Sequence, residues 1–164
     1  MTISIDSNVI SALWNNDDPL NAVAGSILDN LIAQEKLVVS GPVFSELMAG
    51  PLKDEASLNV FFADTGIDVD WTMDEEIWRV AGRAYSGYSQ RRIRSGGKPP
   101  RRILADFLIG AHALVRGYSL LTIDYRHYAA AFPTLPTIPV CPLTLQPFRF
   151  SRPAISTGIP STIG

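Results

Sequence analysis

The sequence predicts an α/β domain built on a central parallel sheet, and three observations carry that reading. Short apolar stretches rich in β-formers alternate with longer stretches whose apolar residues recur at helical spacing, as in strands joined by helical crossovers. A length of 164 residues suits one domain with a proper core. The composition, 46% hydrophobic and 18% charged, is that of an ordinary globular protein.

In chain order, TISID near the start reads as a buried strand that runs straight into a short helix, SNVISALW. NNDDP stops that helix, and Asp18 with Pro19 opens a second, with Val23, Ile27, Leu28, Leu31 and Ile32 at helical spacing. LVVS is a second strand, after which Pro42 starts the helix VFSELMAG, ended by Gly50 and Pro51. KDEASLNVFFADTG is a helix closed by Gly66, and IDVDW alternates like a strand. Thr72 and Glu75 form a capping-box pattern ahead of a long helix through TMDEEIWRVAGRAYSGYSQRRIR. Past the break SGGKPP, RRILADFLIGAHALVRG gives a helix with one apolar face and Gly117 at its end. YSLLTID is a strand, YRHYAAAF a short helix or turn, and TIPV an edge strand. Residues 1–140 are the predicted domain; residues 141–164 form a Pro-, Ser- and Thr-containing extension that is loose or wraps the surface.

Several classes are excluded. The start carries no basic and apolar leader pattern, and no apolar run approaches the roughly 20 residues of a membrane span. Cys141 is the only cysteine, so neither an internal disulfide nor a thiolate zinc cluster is available. A cytoplasmic protein is the expectation. Charge is unevenly divided: residues 1–76 hold fourteen of the sixteen acids and only two bases, while the rest holds twelve bases and only two acids, Asp106 and Asp124. Such asymmetry points toward a polyanionic partner.

Four carboxylates stand out by position. Asp6 and Asp124 each follow a predicted strand, and in open parallel sheets sites form beyond the carboxyl ends of strands. Glu46 lies in the helix after the second strand and Asp106 near the start of the helix before the last main strand, both in apolar company that is costly for an acid without a cationic partner. Blander readings stand beside each: Asp6 or Ser7 as a helix cap, Glu46 as a solvent-facing residue, Asp106 as a cap or a partner of Arg102, Asp124 as the start of a turn.

With IDSNV, VFSEL, LADFLIGAHAL and LLTIDYRHYAAAFP in this order and spacing, the sequence resembles the PIN-domain family over residues 1 to about 140. More narrowly, it resembles the VapC-like ribonuclease toxins of toxin–antitoxin pairs. The resemblance implies a parallel α/β/α sandwich and Mg²⁺- or Mn²⁺-dependent cleavage of RNA that leaves a 5′-phosphate and a 3′-hydroxyl. Asp6, Glu46, Asp106 and Asp124 match the acidic quartet, with Asn8 and Thr122 as supporting polar residues. It also implies a homodimer and a VapB-like antitoxin whose C-terminal segment lies across the active-site groove. Two departures are the extension beyond residue 141 and the basic stretch RRIRSGGKPPRR.

The chemistry is consistent with that likeness. Mg²⁺ prefers hard oxygen ligands, and converging carboxylates that repel one another without a cation bind one with it. Asp6, Asp106 and Asp124 are the expected direct or water-mediated ligands, with Glu46 oriented toward an attacking water. Arg91, Arg92, Arg94, Lys98, Arg101 and Arg102 place six bases in twelve residues, either a phosphate-gripping arm or a solvated loop. His112 falls on a different helical face from Asp106 and reads as a packing or surface residue, while His127 follows Asp124 closely enough to reach the site edge. Trp14, Trp71 and Trp78 read as core or interface residues rather than base-stacking platforms. An aspartyl phosphatase would want an acid where Asn8 stands. A non-catalytic PIN-like module that binds RNA or protein is the remaining alternative.

Overall fold

The computed structural model describes residues 1–50, 54–98 and 104–141. Arg101, Arg102 and nearly all of the C-terminal extension therefore lie outside the described residues. The elements are β1 (Thr2–Ile5), α1 (Ser7–Trp14), α2 (Asn21–Ile32), β2 (Lys36–Ser40), α3 (Gly41–Met48), α4 (Glu55–Thr65), β3 (Asp68–Asp70), α5 (Glu75–Arg94), α6 (Ala105–Arg116), β4 (Ser119–Thr122), α7 (Tyr125–Ala131) and β5 (Thr137–Pro139). The five strands form one sheet in the order β3-β2-β1-β4-β5. Every pairing is parallel. With the helices packed around it, the sheet makes an α/β/α sandwich.

The oily character of the strands follows from their place. β1 is central, and Ile3 and Ile5 are fully buried between Leu37 on one side and Leu121 on the other. In sequence β1 alternates polar and apolar, Thr2-Ile3-Ser4-Ile5, yet Ser4 is as fully buried as the two isoleucines, because a central parallel strand is covered on both faces. The edge strand β5 is tied in by a bond from the Val140 N–H to the Thr122 carbonyl at 3.0 Å.

Helices α5 and α6 determine what stands near the site. Asp74, just before α5, acts electrostatically on His112 late in α6. Tyr85 and Tyr88, near the far end of α5, pack their rings on Phe107 at the start of α6, with centroids 5.5 and 5.4 Å away. The two helices therefore run antiparallel, and the basic last turn of α5 (Arg91, Arg92 and Arg94) lies at the Asp106 end of α6.

Several boundaries differ from those read off the sequence. β1 stops at Ile5 and β4 at Thr122, so neither strand contains its acid; Asp6 and Asp124 are the helix-entry residues that follow. The cap of α5 is Asp74, whose side chain accepts from the Ile77 N–H at 3.1 Å. The Thr72–Glu75 box fails because Asp70 already holds the Thr72 N–H at 3.0 Å, which keeps that residue in the turn after β3. The second helix starts at Asn21, because the Asp18 side chain accepts from the Leu20 N–H and so keeps the residues between in a turn.

Gly110 marks the tightest contact of α6: a Cβ there would lie 2.3 Å from the buried Phe132 ring. Gly110→Ala should therefore lower stability, although alanine is the better helix former, by roughly 1–3 kcal/mol as over-packing usually does. Urea unfolding at neutral pH checks this, and an unchanged or raised midpoint would contradict it.

Candidate active site

At the carboxyl end of the sheet, Asp6 is the deepest charged group and is only 2% exposed. Its backbone N–H extends the β1–β4 ladder by donating to the Leu121 carbonyl at 2.9 Å. Its side chain does not cap α1. Instead the Thr122 hydroxyl and the Asn8 side-chain amide each donate to Asp6 Oδ2 at 2.7 Å. Asn8 also accepts from the Ile123 N–H at 3.2 Å, and Thr122 Oγ1 accepts from the Asp124 N–H at 3.1 Å. The start of α1 is thereby locked to the turn between β4 and α7.

Three acids act on one another here. Burial is the main force pushing the Asp6 carboxyl up to about 6; the Thr122 hydrogen bond opposes it, and the charges of Asp106 and Glu46 add to it. Glu46 is exposed and is held from α1 by the Ser7 hydroxyl at 2.6 Å. Asp106, in the first turn of α6, is half-buried, with its Oδ2 3.7 Å from His127 Nε2. Asp124 is placed differently. It is exposed at the start of α7, and its carboxylate accepts from the His127 N–H at 3.3 Å as a helix cap.

Two contributors were not singled out from the sequence. Ser7 reads from the sequence only as a cap, yet its hydroxyl holds Glu46. Tyr128 is 1% exposed, and burial, then the charges of Asp6 and Asp106, push its hydroxyl above the ordinary tyrosine range. The hydroxyl lies close enough to Asp6 to steady its charge but makes no hydrogen bond of ordinary geometry. A signal for it existed: Tyr128 follows Asp124 by four residues, one helical turn along the same face.

The other candidates sort by environment. His127 sits in an aromatic nest beside Phe107, Tyr88 and Tyr128. His112 is fully buried with Nε2 3.3 Å from Asp70 Oδ2, a close approach without hydrogen-bond alignment. Burial lowers the His112 pKa although Asp70 opposes it. At Asp70 burial works in the other direction, but Thr72, His112 and Arg116 together hold the carboxyl below its usual range. Among the basic residues, Arg92 donates to the Lys98 carbonyl at 3.0 Å and to the Tyr88 hydroxyl at 3.1 Å, so it is a structural brace. Arg91, Arg94 and Lys98 are exposed. Trp14 packs edge-on against Phe61. Trp71 and Trp78 are more than half exposed and border a groove of about 600 Å³ with Pro42, Met73 and Leu108, which Glu46 also lines.

The donor set suits a hard divalent cation, since every candidate ligand is a carboxylate oxygen and the group repels itself. Among the described residues no three such side chains close into a ready-made cage. That too is compatible with Mg²⁺, which usually keeps several waters and takes only one or two carboxylates from the protein.

A parallel α/β/α sandwich with acids gathered beyond its strand ends defines a class of doubly wound proteins that work at that edge. Within it the chain belongs to the PIN domain family, whose model matches residues 3–133. Solved structures with the same fold include VapBC from Salmonella typhimurium bound to DNA, at 18% identity and a TM-score of 0.59, covering 86% of this chain and 99% of that one. VapBC-1 from nontypeable Haemophilus influenzae matches at 21% identity and 0.56, covering 85% and 98%. FitAcB from Neisseria gonorrhoeae matches at 21% and 0.52, covering 83% and 96%. A search of the curated proteins finds no match.

A buried acid whose pKa is raised favours the fold most when protonated, and that contribution is lost as pH climbs through the folded value. With its pKa moved from the ordinary 3.8 to about 6, Asp6 costs the metal-free fold progressively more between about pH 4 and 6, and the cost levels off at about 3 kcal/mol above that. Asp6→Asn should therefore match wild type near pH 4 and exceed it in stability by roughly that amount at pH 7–8 in EDTA. Urea unfolding across that range decides, and parallel curves for the two proteins would contradict it.

Proposed function

We propose that this PIN domain is a metal-dependent endoribonuclease and the toxin of a toxin–antitoxin pair acting in the cytoplasm. The observation that carries this reading is the buried, donor-clamped Asp6 with Asp106 and Glu46 repelling it from nearby. A protein gains little stability from such an arrangement, so the repulsion is better understood as affinity held ready for a cation. Asp6 and Asp106 would hold Mg²⁺ or Mn²⁺, with Asp124 reaching it through water. When bound, the cation supplies Lewis-acid stabilisation of charge on the scissile phosphate and hydroxide at neutral pH.

The chain's own residues supply the rest. Asn8 and Thr122 fix Asp6 in one orientation, and Ser7 aims Glu46, the group suited to orient the attacking water. Arg94 and Lys98 stand at the same end of the α5–α6 pair as Asp106 and are suited to grip RNA phosphates leading to the site. The groove between Trp71, Trp78 and Pro42 suits the apolar side of an antitoxin segment, with Glu46 at its margin to receive a base. A toxin homodimer follows from the likeness to VapC-like proteins.

A non-catalytic binding module is the second reading. It is favoured by the use of the Asp124 carboxylate as a helix cap and by the lack of a closed three-ligand cage among the described residues.

Asp106→Asn, which keeps shape and loses charge, should reduce cleavage of a mixed RNA pool to background. The wild type should produce 5′-phosphate ends with Mg²⁺ or Mn²⁺ and none with EDTA. Cleavage that survives both EDTA and the substitution would sink the metal mechanism, and no Mn²⁺ binding by calorimetry would favour the module. Separately, Arg94→Ala with Lys98→Ala should raise KM and flatten the log–log salt dependence of RNA binding by roughly 1.4, the value for two single-strand phosphate contacts. An unchanged slope would assign the grip elsewhere.

A further inference from the structure

Among the described residues only three aromatic side chains are exposed, Trp71, Trp78 and Tyr125, and all three stand at the carboxyl edge of the sheet. Trp71 directly follows β3, Trp78 lies in the first turn of α5, and the two share the groove that Glu46 lines. Tyr125 is not part of that groove. It directly follows Asp124 after β4, so in strand order Trp71 and Tyr125 fall on opposite sides of Asp6. A single exposed ring is ordinary on a protein surface. The company this one keeps is not.

Tyr125 opens α7, and two residues on, His127 packs its ring against Phe107 at 5.5 Å and Tyr88 at 6.2 Å. The start of α7 therefore lies at the same end of the α5–α6 pair as Asp106 and the basic last turn of α5. Arg126 adds a cation there. Its guanidinium lies over the Tyr125 ring, 5.7 Å from the centroid, and its Nε donates to the Tyr125 hydroxyl at 3.2 Å. Adjacent side chains on a helix do not normally face each other, so Arg126 turns back to brace this ring. Among the described residues Arg126 is in no ion pair, whereas Arg79, Arg83 and Arg116 each meet an acid. An exposed ring with an unneutralised cation fits a single-stranded polyanion: cations follow its backbone, and any base can stack on an aromatic face.

We propose that Tyr125 is a substrate-binding residue whose ring takes, by stacking, the base that borders the scissile phosphate, while Arg126 braces the ring and meets a phosphate of the same stretch. This rests on the nuclease reading above and deepens it by naming where RNA is held on the α7 side. Neighbouring Cα atoms lie about 3.8 Å apart, so a base on Tyr125 sits within a nucleotide of whatever Asp124 helps to hold. With Arg94 and Lys98 on α5, the strand is gripped from two helices. Stacking sets its register over the acids and tolerates any sequence.

Tyr125→Leu keeps apolar bulk and helix propensity but removes the flat face, and is the first test. The probe is an RNA oligonucleotide spanning a mapped cut site, bound in EDTA so that it stays intact, with abasic nucleotides substituted one at a time. In wild type, one abasic position beside the cut should weaken binding roughly 5- to 100-fold. Tyr125→Leu should weaken the intact RNA to the same extent and make that abasic position cost nothing more, as expected of two groups that act only on each other. Tyr125→Phe should recover most of the loss. With Mg²⁺, Tyr125→Leu should raise KM and leave kcat little changed, a split that a distorted site would not give. Arg126→Gln should flatten the log–log salt dependence of binding by roughly 0.7, the value for one single-strand phosphate contact. An abasic penalty of equal size in wild type and Tyr125→Leu, or none in either, would overturn this role alone. A wild-type protein that cuts no RNA and binds no Mn²⁺ would overturn the nuclease reading and this role with it.

Discussion

The bond from the Thr122 hydroxyl to Asp6 joins the two strand ends on which the site is built. Thr122 closes β4 and Asp6 follows β1, and the sheet brings them together because those strands are neighbours at its centre. Asn8 bonds the same carboxylate oxygen and also the turn after β4, so the first helix and the last crossover share one polar knot. Buried hydrogen-bonded networks of this kind carry high stakes: fully satisfied they rigidify, and partly satisfied they destabilise. Here the knot secures its members, while burial and the charges of Asp106 and Glu46 still weigh on Asp6, so the fold tolerates a local cost at this edge.

That cost is bearable because everything beneath it is ordinary. The apolar faces of Ile3, Ile5, Leu120 and Leu121 are completely covered, and α6 presses on α7 closely enough that only glycine fits at position 110. The acids stand where the apolar strands have ended, so the core never shares space with them. The apolar core and the acidic edge are divided along the strand axis, as is common in parallel α/β folds.

Much of this was legible in the sequence. Alternating strands and helices indicated the parallel sheet, and the positions of Asp6 and Asp124 directed attention to its carboxyl edge. The helix boundaries slipped where side chains compete for the same backbone N–H. Thr72 has the look of a cap, but Asp70 reaches its N–H first and Asp74 serves the helix instead. Asp124 shows a related ambiguity, since one carboxylate can start a helix and face a site, and pattern alone cannot rank those uses. The antiparallel pairing of α5 and α6, which puts the last turn of α5 at the Asp106 end of α6, was invisible because 3.6-residue periodicity reveals a buried face and not its partner. Tyr128 does not stand out because an apolar helix position normally needs a ring, and nothing local shows that its buried oxygen feels the charge of Asp6.

The sheet order has a further consequence for how the protein comes into being. Asp6 emerges from the ribosome more than a hundred residues ahead of Thr122 and Tyr128. At common translation speeds of roughly 5–20 residues per second, the interval is on the order of ten seconds. Until then β1 has β2 to pair with but lacks β4, so it waits with one edge open. The nascent chain therefore cannot set Thr122 onto Asp6 until β4 has emerged, so the carboxyl edge of the sheet takes shape late in the passage of this domain through the ribosome.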